Sequence, residues 1–298
     1  MNRTTPAIEV CGLTRDYGGG RGVFDLSFSV RKGEAFGFLG PNGAGKTTTI
    51  RQLLGFIRPD RGSASVYGLD CFRDARQTHR QIGYLPGEIA LPEDETGLSF
   101  LRFMAGMKGL RDFARAEELM RFFDLDPSGP IRRMSKGMKQ KVGIVAAFMA
   151  DPELLILDEP TSGLDPLMQG RFVELVLAEK AKGRTILLSS HLFEEVERTC
   201  DRTAIIRQGR LVAVEEMDKL RQDRGSRWEI TFSDGESAAA FAAGWPGSAQ
   251  EGCRVTLTLT GEASPLIRAL APFPVRELTA RGQTLEELFL HFYGGEAG

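Results

Sequence analysis

The chain has 298 residues, which is long enough for one large domain and a small second one. Its 38 Lys and Arg residues against 40 Asp and Glu residues argue against a general nucleic-acid binder, because such proteins carry an overall basic excess. The four cysteines form no C-x-x-C pair, so we expect reduced thiols. No apolar run approaches the ~20 residues that cross a bilayer, so we expect the protein to work at a membrane only by docking to a partner.

Residues 1 to about 215 alternate short β-rich runs with helical patterns, which is typical of an α/β layered domain. Strands are predicted at IEVCGLTRDY and at FDLSFSVRKGEAFGFLG, and the second ends in a glycine-rich turn. Residues 96 to 150 are predicted to be mostly helical. LLILDEP and TILLSSH are continuous apolar runs, as expected for parallel strands that are buried on both faces.

After about residue 215 the pattern changes to strands separated by short helices. WEITF, CRVTLTLT and VRELTAR predict strands, and SAAAFAAG and PLIRALA predict helices. In CRVTLTLT apolar residues alternate with threonines, which predicts a sheet with one wet face. A last helix is predicted to begin with the capping box of Thr284 and Glu287. We therefore place a domain boundary near Arg221 to Arg227, between domains 1–222 and 227–298.

The stretch GPNGAGKTT fits the pattern G-x-x-x-x-G-K-[ST] between an apolar strand and a helical pattern. Its glycines let consecutive backbone N–H groups converge on phosphate oxygens, and the following helix adds its positive N-terminal end. Lys46 is expected to reach the β- and γ-phosphates, and the Thr47 hydroxyl to bind Mg²⁺. The residues of this predicted nucleotide loop are Gly40, Pro41, Asn42, Gly43, Ala44, Gly45, Lys46, Thr47 and Thr48.

Two carboxylates and a histidine follow the apolar runs. Asp158 and Glu159 end LLILDEP, at the carboxyl end of a strand, where open α/β sheets bind their ligands. We expect Asp158 to hold Mg²⁺ through water and Glu159 to orient and polarise the water that attacks the γ-phosphate. His191 ends LLSSH, on a strand expected beside that of Glu159, which predicts a γ-phosphate contact. Lys46, Glu159 and His191 are the predicted catalytic residues.

In this order the motifs resemble those of the ATP-binding subunit of ABC transporters, over about the first 215 residues. The resemblance identifies GPNGAGKTT as Walker A, LLILDEP as Walker B, Ser162 to Asp165 as the D-loop and His191 as the switch histidine. It places Tyr17 on the adenine and Asp165 among the nucleotide contacts. It implies a P-loop ABC ATPase domain of the α/β class, with a mixed sheet core and a helical subdomain at about 88–150, followed by a small α+β accessory domain.

The same resemblance explains MSKGMKQK, which occupies the position of the family signature LSGGQ. In that family two subunits clamp two ATP molecules head to tail. The Ser135 hydroxyl and the Gly137 N–H are therefore expected to bind the γ-phosphate held by a second copy. Met134, Lys136 and Met138 replace Leu, Gly and Gln, and an anionic ligand is expected to tolerate the added cation. Whether the second cassette is identical or a paralogue stays open.

A larger departure lies in IGYLPGEIALPEDETG, where the family usually has a Gln after the strand. Gly87 and Glu88 stand there instead, and Glu88 is a candidate Mg²⁺ ligand because it offers a carboxylate oxygen. Together with SKGMKQK and a chain end of TLEELFLHFYG, YLPGE resembles the ABC-2 branch. That branch usually exports its substrate through a separate permease. The resemblance thus implies an ATPase using ATP and Mg²⁺, peripheral to the cytoplasmic face of the cell membrane.

The main alternative is a soluble ABC ATPase that acts on nucleic acid or ribosomes. Such proteins typically carry two cassettes or a long coiled-coil insertion, whereas this chain has one cassette, no sustained heptads and a near-neutral charge. No nucleic-acid partner is therefore expected. A small-molecule kinase with a P-loop would leave the signature, the D-loop and His191 without a role. The sequence of this chain does not identify the transported molecule, since the residues that contact it are expected in the permease.

Overall fold

The computed structural model describes residues 5–222, 225–259, 261–282, 284 and 287. The chain divides into two compact units, Met1–Met217 and Asp218–Gly298. The boundary predicted from the sequence lies just inside the second of these units. Among the described residues, no helix is both long enough and apolar enough to cross a membrane.

The described strands of the first unit form two sheets. They are β1 (Ile8–Asp16), β2 (Gly22–Val30), β3 (Ala35–Leu39), β4 (Arg61–Val66), β5 (Leu69–Asp70), β6 (Ile82–Leu85), β7 (Leu154–Asp158), β8 (Thr185–Ser190), β9 (Arg202–Arg207) and β10 (Arg210–Glu216). One sheet is antiparallel, in the order β2-β1-β4-β5. The other has the order β10-β9-β3-β8-β7-β6 and is parallel except for the pair of β9 and β10.

The parallel sheet brings the predicted strand ends together. Every residue of β3, β7 and β8 is buried, as expected for strands covered on both faces. Strands β7 and β8 are neighbours, so that Asp158 pairs with Ser189. The two apolar runs are therefore parallel strands, as predicted. Their carboxyl ends share one edge of the sheet with the end of β3.

The predicted strand FDLSFSVRKGEAFGFLG is in fact two strands that belong to different sheets. A turn separates β2 from β3, and in it the Glu34 carboxylate accepts a hydrogen bond from the Arg31 N–H at 2.5 Å. The two strands still pack on each other. Phe28 of β2 stacks on Phe36 and Phe38 of β3, with ring centroids 5.6 and 5.4 Å apart. Burial of each such ring contributes about 1.5–3 kcal/mol, which fixes the strand that leads into the glycine-rich loop.

The helices up to residue 222 are α1 (Lys46–Leu53), α2 (Ala75–Gln81), α3 (Gly97–Met107), α4 (Ala114–Phe122), α5 (Lys136–Phe148), α6 (Pro166–Ala181), α7 (Phe193–Thr199) and α8 (Met217–Gln222). Helices α3, α5 and α6 begin at the side-chain caps Thr96, Ser135 and Asp165, each of which accepts a backbone N–H three residues later. Helices α3 and α4 both pack against α5. The mostly helical character predicted for residues 96 to 150 is confirmed.

The second unit contains an antiparallel sheet. Its elements are β11 (Ser226–Phe232), α9 (Gly235–Gly244), β12 (Ala249–Glu251), β13 (Arg254–Leu259), α10 (Ser264–Leu270) and β14 (Val275–Gly282), and the strand order is β12-β13-β11-β14. Three of its described strands were predicted from the sequence, and the fourth, β12, precedes one of them. Val255 and Leu257 are buried and Thr258 is exposed, so the predicted alternation is confirmed. The two bonds of the capping box are present at 3.0 and 3.1 Å, and the rest of that predicted helix lies outside the described residues.

Candidate nucleotide-binding and hydrolysis site

The loop between β3 and α1 has the form of an anion site. The first turn of α1 receives no side-chain cap, so its backbone N–H groups are available to a ligand. Gly45 precedes the helix with φ 109°. A Cβ atom placed on Gly45 would lie 2.6 Å from Val23 Cγ1, so that only glycine fits there. This loop therefore meets the requirements for binding a phosphate group.

Lys46, the first residue of α1, points its ammonium group back into the loop. The side chain is 6% exposed. Its Nζ donates hydrogen bonds to the carbonyl oxygens of Gly40 and Pro41 at 2.6 and 3.3 Å, and it lies 3.1 Å from Glu159 Oε1. A buried cation is thus held at the centre of the loop by two carbonyls and one carboxylate, which are partners that phosphate oxygens can replace.

Asp158 is fully buried at the end of β7 and has a hydroxyl on each carboxylate oxygen. Thr47 Oγ1 donates to Oδ2 at 2.8 Å, and Ser189 Oγ donates to Oδ1 at 2.5 Å. No group of three His, Cys, Asp or Glu side chains suited to a metal occurs in the part of the chain that the structure describes. One carboxylate beside one hydroxyl still fits Mg²⁺, because this ion usually takes few protein ligands and completes its shell with phosphate and water.

Glu159 has an unusual backbone conformation for its residue type. Its φ is 47°, in the left-handed region that costs a non-glycine residue about 1–3 kcal/mol. The conformation is held by its N–H, which donates to the Ser189 carbonyl at 3.0 Å, and by its carbonyl, which accepts the Ser162 N–H at 3.1 Å. As a result the carboxylate faces both Lys46 and His191, whose Nδ1 lies 2.5 Å from Glu159 Oε2.

The Asp158, Glu159 and His191 side chains line one cleft of about 430 Å³, and Lys46 contacts the Glu159 carboxylate from behind its wall. Of the residues predicted from the sequence, the cleft contains Asn42, Thr47, Glu88, Asp158, Glu159 and His191. Tyr84 and Arg51 also line it and were not predicted. Burial raises the pKa of Tyr84 to about 12, with the Asp158 carboxylate acting in the same direction and Arg51 against it. The structure thus collects most of the predicted catalytic and metal residues at one place.

The loop after β6 lies directly against the Asp158 carboxylate. A Cβ atom on Gly87 would be 3.4 Å from Asp158 Oδ2, so a longer side chain at this position would reach the carboxylate. Glu88 is exposed at the edge of the cleft. Metal binding by Glu88 stays a prediction.

Tyr17 follows β1 and does not line the cleft in the described part of the chain. The residue is 45% exposed, and the Arg15 guanidinium lies 5.3 Å from the ring centroid. An aromatic ring open to solvent is available for stacking on a base. Adenine binding at Tyr17 stays a prediction.

The signature segment contacts the D-loop of its own chain. Gly137 lies so close to Gly163 that a Cβ atom on it would be 2.8 Å from the Gly163 carbonyl oxygen. Lys136 Nζ donates to Ser162 Oγ at 2.9 Å. The close approach to Gly163 therefore requires a glycine at position 137 within the chain itself, and no local sequence pattern indicates this contact. Ser135 caps α5 by accepting the Met138 N–H at 3.2 Å.

Asp165 and Gln140 have local structural partners. Asp165 Oδ1 accepts the Met168 N–H at 2.9 Å at the start of α6. Gln140 is buried, and its Nε2 donates to the Pro160 carbonyl at 2.7 Å, next to Glu159. Gln140 was missed because a glutamine in a helical pattern gives no signal. Ser189 could have been found, since it is one of the two serines that follow the apolar centre of a buried strand.

Comparison with known proteins agrees with this geometry. Residues 23–162 match the family model described as ABC transporter. The daunorubicin resistance ATP-binding protein DrrA3 of Streptomyces coeruleorubidus is 34% identical over 305 residues, which cover 97% of this chain and 96% of that protein. The chain belongs to the ABC transporter family. It is an ATP-binding subunit of this family and an ATPase, and the recognition made from the sequence motifs is confirmed.

Other ABC transporter proteins support the branch and the fold. The Nod factor export ATP-binding protein I of Ralstonia nicotianae is 38% identical over 222 residues, which cover 70% of this chain and 67% of that protein. The solved structure of an ATP-binding subunit of an ABC transporter has a TM-score of 0.67 and 38% identity, over 72% of this chain and 92% of that one. A dimeric bacterial ABC transporter cassette has a TM-score of 0.65 at 20% identity, over 70% and 98%, and shows the fold alone.

Proposed function

We propose that this ABC subunit is the ATPase motor of an ABC-2 type exporter. In this proposal two copies close head to tail on two ATP molecules, hydrolysis reopens them, and the motion drives a separate permease at the cytoplasmic face of the cell membrane. The observation that carries the proposal is the position of Glu159, whose carboxylate lies between Lys46 Nζ at 3.1 Å and His191 Nδ1 at 2.5 Å.

The three side chains have distinct roles in this proposal. Lys46 exchanges its carbonyl partners for phosphate oxygens and neutralises their charge. Glu159 orients the attacking water and accepts its proton, while His191 holds the carboxylate and contacts the γ-phosphate. No covalent intermediate with the protein is needed, because positioning and charge stabilisation account for this type of phosphoryl transfer.

Thr47 and Asp158 are the proposed protein ligands of Mg²⁺. Both lie in the same cleft, and the buried Asp158 carboxylate is kept in place by Ser189 Oγ at 2.5 Å. When bound, Mg²⁺ neutralises charge on the β- and γ-phosphates. Glu88 is a further candidate ligand, since it lines the same cleft.

The dimer is proposed because the two signature groups expected to bind phosphate do not line the cleft of their own chain. Ser135 and Gly137 belong to the start of α5 and do not line the described cleft, whereas Lys136 between them reaches it with a side chain that donates to Ser162. A second copy, placed head to tail, would present this helix start to the γ-phosphate. A cassette of the same fold forms a dimer, which supports the proposal that two copies associate.

Export through a separate permease is supported by the names of the relatives. One is named for drug resistance and another for Nod factor export. Neither name concerns nucleic acid or ribosomes. Work at the membrane by docking to a permease agrees with the absence of a membrane-spanning helix from the described residues.

Replacing Glu159 tests the proposal. Glu159→Gln should lower turnover at least about a thousandfold, because the amide cannot accept the proton of the attacking water. The variant should still bind Mg·ATP and should accumulate as a dimer in sedimentation velocity with Mg·ATP. Glu174→Gln, an exposed glutamate on α6, is the matched control and should hydrolyse normally as a transient dimer.

Two results would contradict this function. Full hydrolysis by Glu159→Gln would remove that residue from catalysis. A variant that binds Mg·ATP yet stays monomeric would contradict the dimer. Stimulation by DNA or RNA, rather than by the neighbouring permease in vesicles, would favour a soluble ABC ATPase.

A further inference from the structure

Glu195 is a buried carboxyl group behind the loop that carries His191, and the roles proposed above do not use it. It lies in α7, and the residue is 6% exposed. Burial of a carboxyl group is unfavourable unless it has hydrogen-bond partners. The hydrogen-bond partner of Glu195 therefore indicates its function.

The partner of Glu195 is the residue that precedes His191. Ser190 Oγ donates to Glu195 Oε2 at 2.6 Å. The same Ser190 hydroxyl accepts the backbone N–H of Leu192 at 2.9 Å. The hydroxyl therefore closes a turn across His191, and the Glu195 carboxyl determines the direction in which that hydroxyl points.

Glu195 also faces the chain that follows Glu159. The Thr161 hydroxyl is close enough to the Glu195 carboxyl to lower its pKa. The Oε1 atom of Glu195 nevertheless has no well-formed hydrogen bond. The carboxyl group thus lies between the loop that carries Glu159 and the loop that carries His191. The Thr199 hydroxyl donates to the Glu195 carbonyl at 2.7 Å, which holds its backbone in α7.

We propose that Glu195 is a positioning residue for ATP hydrolysis, which fixes the His191 imidazole against Glu159 by holding Ser190. The imidazole needs such a device because its side chain is 45% exposed, so packing alone does not hold the ring 2.5 Å from the Glu159 carboxylate. This inference rests on the roles proposed for Glu159 and His191.

The electrostatic surroundings of Glu195 agree with this role. Burial raises the pKa of Glu195 to about 7, the Ser190 and Thr161 hydroxyls lower it, Glu159 raises it and His191 lowers it. The thiol of Cys200 is also close, and burial raises its pKa to about 12. An apolar side chain would fill this space without such an electrostatic cost. What the carboxyl group adds is the hydrogen bond to Ser190.

Substitutions of Glu195 separate positioning from packing. Glu195→Ala should lower kcat about ten- to a hundredfold, with KM for ATP within about twofold, because the imidazole loses its orientation but the phosphate loop is intact. Glu195→Gln should keep most of kcat, since the amide oxygen still accepts the Ser190 hydroxyl. Glu194→Ala is the matched control, because Glu194 is the exposed neighbour on the same helix.

Histidine NMR supplies the readout that a purely structural role would not change. The chain has three histidines, so the His191 imidazole signal can be assigned by comparison with His191→Ala. The signal should move in Glu195→Ala and stay in place in Glu195→Gln and Glu194→Ala. Ser190→Ala should shift the same signal, and the double variant with Glu195→Ala should lose no more than the single variants, since both remove one bond.

Distinct outcomes overturn the inference and the function beneath it. A normal kcat in Glu195→Ala, or a lowered kcat with an unmoved His191 signal, overturns the positioning role. If Glu195→Ala does not fold, a normal kcat in Ser190→Ala has the same meaning. Full hydrolysis by both Glu159→Gln and His191→Ala would instead overturn the proposed function.

Discussion

The two units of the chain bury different kinds of side chain. In the part of the chain that the structure describes, every buried polar or charged side chain belongs to the first unit, and Lys46, Asp158 and Glu195 are among them. The second unit buries an apolar cluster that includes Phe232 and Phe241. The first unit thus keeps charges where burial disfavours them, and the second does not.

This contrast extends to the backbone of the cleft. Glu159 holds a left-handed conformation at the point where its carboxylate meets a lysine and a histidine. Strands β11 and β13 of the second unit instead follow the ordinary alternation of apolar and polar residues. Six non-glycine residues of the described chain have a positive φ, and Glu159 is the one of them that lines the cleft. Substitutions in the cleft should therefore change activity more than stability, and those in the second unit should do the reverse.

The largest effect is expected for Lys46→Ala. Loss of the buried ammonium removes a charge-assisted contact with phosphate and leaves Glu159 without its cation. We expect kcat/KM to fall about a thousandfold, with weaker ATP binding by calorimetry. Lys32→Ala, an exposed lysine that follows β2, should behave as wild type in both measurements. Unchanged ATP affinity in Lys46→Ala would contradict the phosphate-loop assignment.

Phe241→Ala tests the other half of the comparison. The ring stacks on Trp245 at 5.8 Å and lies 5.4 Å from the Phe232 ring, so its removal leaves a cavity in the apolar cluster. The cost should be about 3–5 kcal/mol, measured as faster amide hydrogen exchange in β11 and β13.

ATP hydrolysis by Phe241→Ala should stay within about twofold of wild type at temperatures where the second unit remains folded. The exposed Ile267→Ala, in the same unit, should change neither property. Equal loss of hydrolysis and of exchange protection in Phe241→Ala would show that the two units do not behave separately.

The buried carboxyl of Glu195 predicts a pH-dependent stability. Its pKa is raised from 4.5 in the unfolded chain to about 7 in the fold, so the folded protein binds a proton that the unfolded chain has lost. The contribution of this group to stability therefore falls as pH rises from about 4.5 to about 7, and stays low above that. Glu195→Gln cannot ionise and should avoid the loss.

We expect Glu195→Gln to exceed wild type in free energy of unfolding by about 2 kcal/mol at pH 8, and by much less at pH 5. The full shift would correspond to more, but the buried amide carries a cost of its own. Urea unfolding at both pH values measures the difference, with Glu194→Gln as the exposed control. If the difference in free energy of unfolding were equal at the two pH values, Glu195 would not be the group that titrates between them.

The parts of the site that could be predicted are those that produce a local sequence pattern. The loop that ends at Lys46 is defined by glycine spacing, and Asp158 and His191 are found because each follows a continuous apolar run. Parallel strands bring such ends to one edge, so their meeting could also be predicted. The helical segment at residues 96 to 150 and the alternating strand of the second unit are local patterns of the same kind and could be predicted too.

The parts that could not be predicted depend on contacts between distant segments. The left-handed conformation of Glu159 and the close approach of Gly137 to Gly163 are fixed by neighbouring loops, which no local pattern records. Glu194 and Glu195 are adjacent and identical in type, yet one is exposed and the other is buried against Ser190. Their roles differ only because of the direction in which α7 faces the sheet.

The smallest effect is expected at Lys136, where the cleft and the signature meet. Its Nζ bond to Ser162 Oγ at 2.9 Å is exposed, so Lys136→Met should change the free energy of unfolding by less than about 1 kcal/mol. The methionine keeps an unbranched stem beside Gly163, against which the lysine carbons pack. Hydrolysis should fall only a few-fold, because the N–H groups at the start of α5 remain for the phosphate. Ser162→Ala, which removes the same bond from its other end, should match this result in a kcat measurement. If Lys136→Met loses far more activity than Ser162→Ala, the hydrogen bond to Ser162 does not explain the loss. The positive charge of Lys136 would then interact with the nucleotide directly.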